Sequence, residues 1–214
     1  MSQKDAERRI GVGEKKMIDL LRQVALFGFI FAVYFFILRK KPYYQRKLFP
    51  PYWYRVAKAE GWKRILKVFC CSIPIIILLY FLLPVINNFA ESLAGGQPSI
   101  TPGENPVAAM IGISPLLFLI VASLFPIIEE WIFRELIFSE LRNKWGNIVG
   151  LLGSTFLFGF IHLTNQGAQL HSIFVPLFAG LIFGVMYLKF GLLGAYLVHG
   201  GNNFVHTVIW MLSG

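Results

Sequence analysis

Between Val68 and Ile86 the chain carries no Lys, Arg, Asp, Glu or His. That stretch is as long as the run of about 20 apolar residues that a helix needs to cross a bilayer. In hydrocarbon every backbone polar group must be satisfied within the protein, so such a run reads as a helix. Further apolar runs lie at Val24–Leu38 (extended back towards Met17), Leu116 to about Leu141, Ile148–Leu163, Ser172–Leu188 and Leu192–Trp210. The fold expected is all-α: a polytopic transmembrane helix bundle of about five to six spans. Pro126 is expected to kink the helix that begins near Leu116.

Only 14% of the residues are charged, well below the figure of about 25% for soluble domains. The net charge of +9 does not point to nucleic acid. Its Lys and Arg sit almost wholly before Lys67, and from Arg39 to Lys67 they are interleaved with Tyr43, Tyr44, Phe49, Tyr52, Trp53, Tyr54 and Trp62. Basic and aromatic residues beside apolar spans fit a cytoplasmic segment lying in the headgroups. Residues 1–67 therefore read as a basic arm, a first candidate span and an interfacial segment, and residues 68–214 as a transmembrane bundle. Asn87 to Pro106 holds Gly95-Gly96 and no Lys or Arg, which reads as an outside loop. The N-terminal arm conflicts with this scheme. Lys4, Arg8, Arg9, Lys15 and Lys16 would lie outside if Val24–Leu38 crosses, so either a basic arm is translocated or that segment does not span. Cys70 and Cys71 are adjacent and read as small apolar residues. No cleavable signal peptide and no lipidation cysteine are evident. The compartment expected is the cell membrane.

Two carboxylates interrupt an otherwise uncharged run, at Glu129-Glu130-Trp131-Ile132-Phe133-Arg134. Ionisable groups inside a membrane are costly and mark functional sites by default. Glu130 and Arg134 are one helical turn apart and can pair, which leaves Glu129 turned away from that pair. The plain alternative is a helix end in the headgroup zone. His162 closes Phe158-Gly159-Phe160-Ile161-His162, and His199 and Asn203 share a face in His199-Gly200-Gly201-Asn202-Asn203, with His206 a turn further on. At 1.5 Å per residue, Glu129, His162 and His199 lie roughly 18, 22 and 12 Å from one membrane boundary. Three helices thus bring acid, imidazole and imidazole-plus-amide to similar depth, which a structural role for each in turn does not explain.

The chemistry this permits is water activation. A carboxylate can take a proton from water and an imidazole can hold or relay it. His with Asn can hydrogen-bond an oxyanion. Alternatively Glu129, His162 and His199 could ligate a divalent metal such as zinc that acidifies the water. No Ser or Cys nucleophile has a base at motif spacing, which disfavours covalent catalysis. Gly200 and Gly201 thin the last helix, either to admit a substrate backbone or to permit tight packing.

At these residues the chain resembles the CPBP intramembrane proteases, the CAAX-processing and bacteriocin-processing family also called Abi. Their pattern is Glu-Glu-x-x-x-Arg, Phe-x-x-x-His and His-x-x-x-Asn or Asp. Here it is carried by Glu129, Glu130 and Arg134, by Phe158 and His162, and by His199 and Asn203. The resemblance implies that Glu129 and His162 activate water, that His199 and Asn203 support the site or the oxyanion, and that Glu130 and Arg134 form a structural pair. Where many members place Gly after the Arg, this chain has Glu135. The function expected is an intramembrane endopeptidase acting on a peptide or membrane-protein substrate in the lipid bilayer. The roles implied are peptide maturation, bacteriocin immunity or regulation of a membrane partner. The alternative is a non-proteolytic protein that shields or scaffolds such a partner. A proton-coupled transporter would show paired halves, which the sequence lacks.

Overall fold

The first described helix begins at Pro51, within the basic segment. The computed structural model describes residues 51–99, 114–164 and 168–213. The chain divides into two units, 1–59 with 164–166 and 60–163 with 167–214. Of the first unit, only the start of one helix and Thr164 are described, and the motif residues lie wholly in the second. The candidate span at Val24–Leu38, the basic arm and residues 39–50 of the basic segment lie outside the described residues.

Helix α1 runs Pro51–Leu93, broken at Gly61 (φ 66°, ψ 169°) and carrying Pro74 and Pro84. Its apolar surface is divided. Val68, Leu79, Leu83 and Ala90 are buried, while Phe69, Ile77, Phe81, Val85 and Phe89 are exposed. So large an unpartnered apolar face suits lipid contact. Cys70 is exposed, Cys71 partly so, and both are free thiols. The helix continues past Asn87, where a loop was expected. The reason is polar: Asn87 Nδ2 donates to Glu91 Oε1 one turn on (3.0 Å). Ser99 returns to the same pair, its N–H on Glu91 Oε1 (2.7 Å) and its Oγ on Asn87 Oδ1 (2.7 Å). The helix stops at Gly95 and Gly96, where Gly96 N–H reaches back to Glu91 O (2.8 Å), a glycine-terminated helix end.

Helices α2 (Pro115–Leu124) and α3 (Pro126–Glu130) are separated by Phe125. Pro126 has no N–H and so interrupts the ladder there, at the residue expected to kink the chain. A π-helix, Trp131–Phe138, follows directly. This was not foreseen; its wider turn is a device found mostly at functional sites. All its residues but Ile137 are buried. Helix α4 spans Ser139–Ile161 and α5 Phe174–Ser213, with 3-10 turns at His162–Thr164 and Leu170–Ile173 between them. Among the described residues there is no β-strand element.

Three helical runs are long and apolar enough to cross a membrane: Gly61–Leu93, Phe118–Thr164 and Leu170–Leu212. A straight helix of 47 residues would measure about 70 Å, over twice the hydrocarbon core of about 30 Å. The second and third runs instead double back. Helix α4 turns at Gly146 (φ 88°, ψ 174°) and α5 at Gly191 (φ 69°, ψ −163°), angles open to glycine and costly for other residues. Past the first turn Gly150 lies against Arg142 and Gly153 against Leu141; past the second, Gly194 lies against Phe190 and Met186. Arg142, Lys144 and Lys189 fall beside these two hinges.

Candidate active site

Arg134 is the anchor. Its side chain is fully buried, so its donors need partners within the bundle. Nε donates to Glu130 Oε2 (2.9 Å), Nη1 to Ser154 Oγ (3.1 Å) and Nη2 to Gly180 O (2.9 Å). The π-helix, α4 and α5 are thereby tied through one guanidinium, whose carbon also lies 5.5 Å from the Phe158 ring centroid. Gly180 and Gly184 lie beside it. A Cβ at either would stand at ordinary contact distance from an Arg134 nitrogen (3.5 or 3.7 Å) but would collide with Phe158 Cδ1 (2.9 Å) or Leu151 Cδ1 (2.3 Å). These small residues of α5 thus serve the packing of Phe158 and Leu151 around the buried cation.

Glu130 is as deeply buried and spends both oxygens. Oε2 meets Arg134, and Oε1 accepts from His199 Nδ1 (2.8 Å). A carboxylate acceptor at that distance places the proton on Nδ1, and the other ring nitrogen then carries the lone pair. That nitrogen, Nε2, stands 3.6 Å from Glu129 Oε2. The imidazole therefore lies between the two adjacent carboxylates of the first motif. This joins residues 69 apart in the chain. Of the pair, Glu129 keeps some exposure (14% against none for Glu130). Glu130 is a structural partner of Arg134, as expected, and it also orients His199, which was not.

Phe158 explains why an aromatic opens the second motif. It is buried and touches His162 (centroids 4.6 Å), His199 (5.6 Å), Phe183 (6.0 Å) and Phe133 (5.2 Å). His162 donates from Nδ1 to the Phe158 carbonyl (2.8 Å), leaving Nε2 free to accept. No hydrogen bond or ion pair joins His162 to Glu129 or His199 among the described residues. Asn203 Nδ2 donates to Ala122 O (3.2 Å). That bond ties α5 to α2 and leaves the second N–H and the Oδ1 of the amide. His206 stands apart, against Tyr80 of α1 (5.0 Å).

The structure therefore assembles Glu129, Glu130, Arg134 and His199 directly, and brings His162 against the Phe158 ring that His199 also touches. No three His, Cys, Asp or Glu side chains among the described residues converge where a metal ion could be held. The set Glu129, His162 and His199 is not grouped for zinc, and no step below runs through a metal. The thin helix at Gly200 and Gly201 is closely packed: a Cβ would meet Ser123 O at 2.8 Å or Ile76 Cδ1 at 2.5 Å. Both glycines also line an apolar groove of about 220 Å³ with Ile73, Ile76, Ser123 and Tyr196. Reading the sequence missed Ser154 and Phe183. Ser154 had a signal, since it is a polar residue in an apolar helix one turn before Phe158; Phe183 had none.

No curated protein and no solved structure matches this chain. A family model does match, described as type II CAAX prenyl endopeptidase Rce1-like, over residues 111–205. That stretch contains all three motifs, from Glu129 to Asn203. Over those residues the chain is similar to the Rce1-like proteins, consistent with the CPBP family that its motifs resemble.

Proposed function

We propose that this protein is an intramembrane endopeptidase that cleaves a peptide or membrane-protein substrate with a water activated at Glu129. The Rce1-like match supports the reaction class. One observation carries the mechanism: His199 is held by Glu130 at Nδ1 (2.8 Å) and faces Glu129 with Nε2 (3.6 Å). A carboxylate and an imine nitrogen are both acceptors, so they cannot bond to each other. A water donating one proton to each satisfies both and is polarised for attack. Glu129 takes the proton as the water oxygen adds to the scissile carbonyl. Glu130 keeps the imidazole in the tautomer this needs, as the buried carboxylate of a catalytic triad does. Glu129 then returns that proton to the amide nitrogen as the C–N bond breaks, so the amine leaves neutral. The free Nε2 of His162 is a further acceptor beside the Phe158 ring that His199 also touches. The remaining N–H of Asn203 is a donor for the oxyanion.

The test uses the purified full chain in proteoliposomes, with a prenylated C-terminal peptide and its unprenylated counterpart read by mass spectrometry. Wild type is expected to cleave, Glu129→Gln to lose the product, and chelator-washed wild type to retain it. Cleavage by Glu129→Gln at the wild-type rate would end the mechanism. Loss of activity on washing, restored by zinc, would make the site a metal centre. Wild type that leaves both peptides and reconstituted membrane proteins intact would favour a shielding or scaffolding role.

A further inference from the structure

We propose that Phe183, which lies outside all three motifs, is the positioning residue that sets the plane of the His199 imidazole; this rests on the reading of His199 as part of a hydrolytic site. A single hydrogen bond from Nδ1 to Glu130 fixes one atom of the ring. It leaves the ring free to tilt about that bond, and a tilt carries Nε2 away from Glu129. Phe183 removes that freedom. Its ring is stacked on the imidazole, centroids 4.4 Å apart and planes 15° apart. Phe158 stands nearly perpendicular to both, at 86° to His199 and 80° to Phe183. The imidazole is thus covered on one face and blocked by a perpendicular ring. Phe183 is 1% exposed, so it has no space to move aside.

The fold delivers this contact by register. Phe183 and His199 each lie eight residues from Gly191, the hinge at which α5 doubles back. The two arms of the hairpin therefore bring these side chains level. Leu or Ile would fill an apolar helix position equally well. Only a ring offers the flat face that a parallel stack requires, and such aromatic pairs depend on geometry beyond buried area.

The experiment compares wild type with Phe183→Leu and Phe183→Tyr, as full chains in nanodiscs. Imidazole NMR resolves the chain's four histidines, with His199 assigned from its loss in His199→Gln. In wild type and Phe183→Tyr, the carbon-bound ring protons of His199 are expected upfield, shifted by the stacked ring. In Phe183→Leu they return towards the ordinary position. In parallel, kcat falls about tenfold or more in Phe183→Leu with KM unchanged, the signature of a displaced group and not of lost binding. Phe183→Tyr restores it. If Phe183→Leu does not fold, Phe183→Met, which adapts to the same space, takes its place. Wild-type His199 signals in the leucine variant would overturn the proposal, as would displaced signals with unchanged kcat. Should wild type cleave nothing, the proposed function falls, and the imidazole signals alone decide whether Phe183 orients His199.

Discussion

Removing the Arg134 side chain is the sharpest test of the bundle's electrostatics. Arg134→Ala deletes three hydrogen bonds, but they do not weigh equally. Ser154 Oγ also donates to Leu151 O (3.2 Å), so it is not orphaned. Gly180 O lies within helix α5 and keeps its place in the backbone ladder. Glu130 is different. It is fully buried, the guanidinium paired with it is gone, and among the described residues His199 Nδ1 is left to donate to it. An uncompensated buried charge of this kind costs about 3–5 kcal/mol. For a chain of this size each kcal/mol moves the unfolding midpoint by about 2–4 °C, so Tm is expected to fall by roughly 6–20 °C.

The assay is thermal unfolding of the detergent-solubilised protein, run as a cycle with Glu130→Gln and the double variant. Gln keeps an acceptor for His199 and removes the charge, so the double variant should be more stable than Arg134→Ala alone. Paired residues in one network couple by about 0.5–3 kcal/mol, and the coupling here is expected near the upper end. An Arg134→Ala protein that is inactive yet unfolds at the wild-type temperature would refute this reasoning. It would show that the guanidinium acts on substrate instead of neutralising Glu130.

Glu129→Gln is expected to abolish cleavage with Tm unchanged, because the nearest polar approach of the Glu129 side chain is the 3.6 Å to His199; a large fall in Tm would make it structural. Gly191→Ala should cost about 1–3 kcal/mol, the penalty of a backbone region essentially open to glycine alone, since no atom lies within 4 Å of the new Cβ. Gly191→Asn should cost as much, and no loss in equilibrium unfolding for either would mean that the hinge is not under backbone control. In a variant lacking Cys70 and Cys71, a cysteine at exposed Gln97 should react with an impermeant reagent on intact cells. One at exposed Asn143 should not; the reverse pattern would invert the topology drawn from the Lys and Arg asymmetry.

Much of the bundle was legible because hydrophobic runs report the environment of a helix directly. The motif residues stood out for the same reason, as polar groups where lipid or core requires apolar ones. The Glu130–Arg134 pair is local, one helical turn, and so could be read from spacing. Gly95-Gly96 and the absence of Lys and Arg point to a loop from Asn87, yet the helix runs on to Leu93. The side chains of Asn87 and Glu91 satisfy each other along the helix and capture Ser99, which spacing alone does not reveal. The π-helix was equally hidden, since a run that is buried almost all round has no periodicity to betray its pitch.

The contact between Glu130 and His199 belongs to a third kind, set by hinges and not by composition. Gly146 turns α4 so that Ser154 and Phe158 come level with Arg134 and Phe133. Gly191 turns α5 so that Phe183 comes level with His199. Arg134 then binds Glu130, Ser154 and Gly180 at once, which locks the two hairpins to the same carboxylate that holds Nδ1. A one-turn slip of either hairpin, about 5.4 Å, would break these bonds together. The buried cation thus makes the register of the bundle and the orientation of His199 one condition. That is a physical reason for placing a fully buried Arg, a costly choice for stability alone, one helical turn from the carboxylate that orients the imidazole.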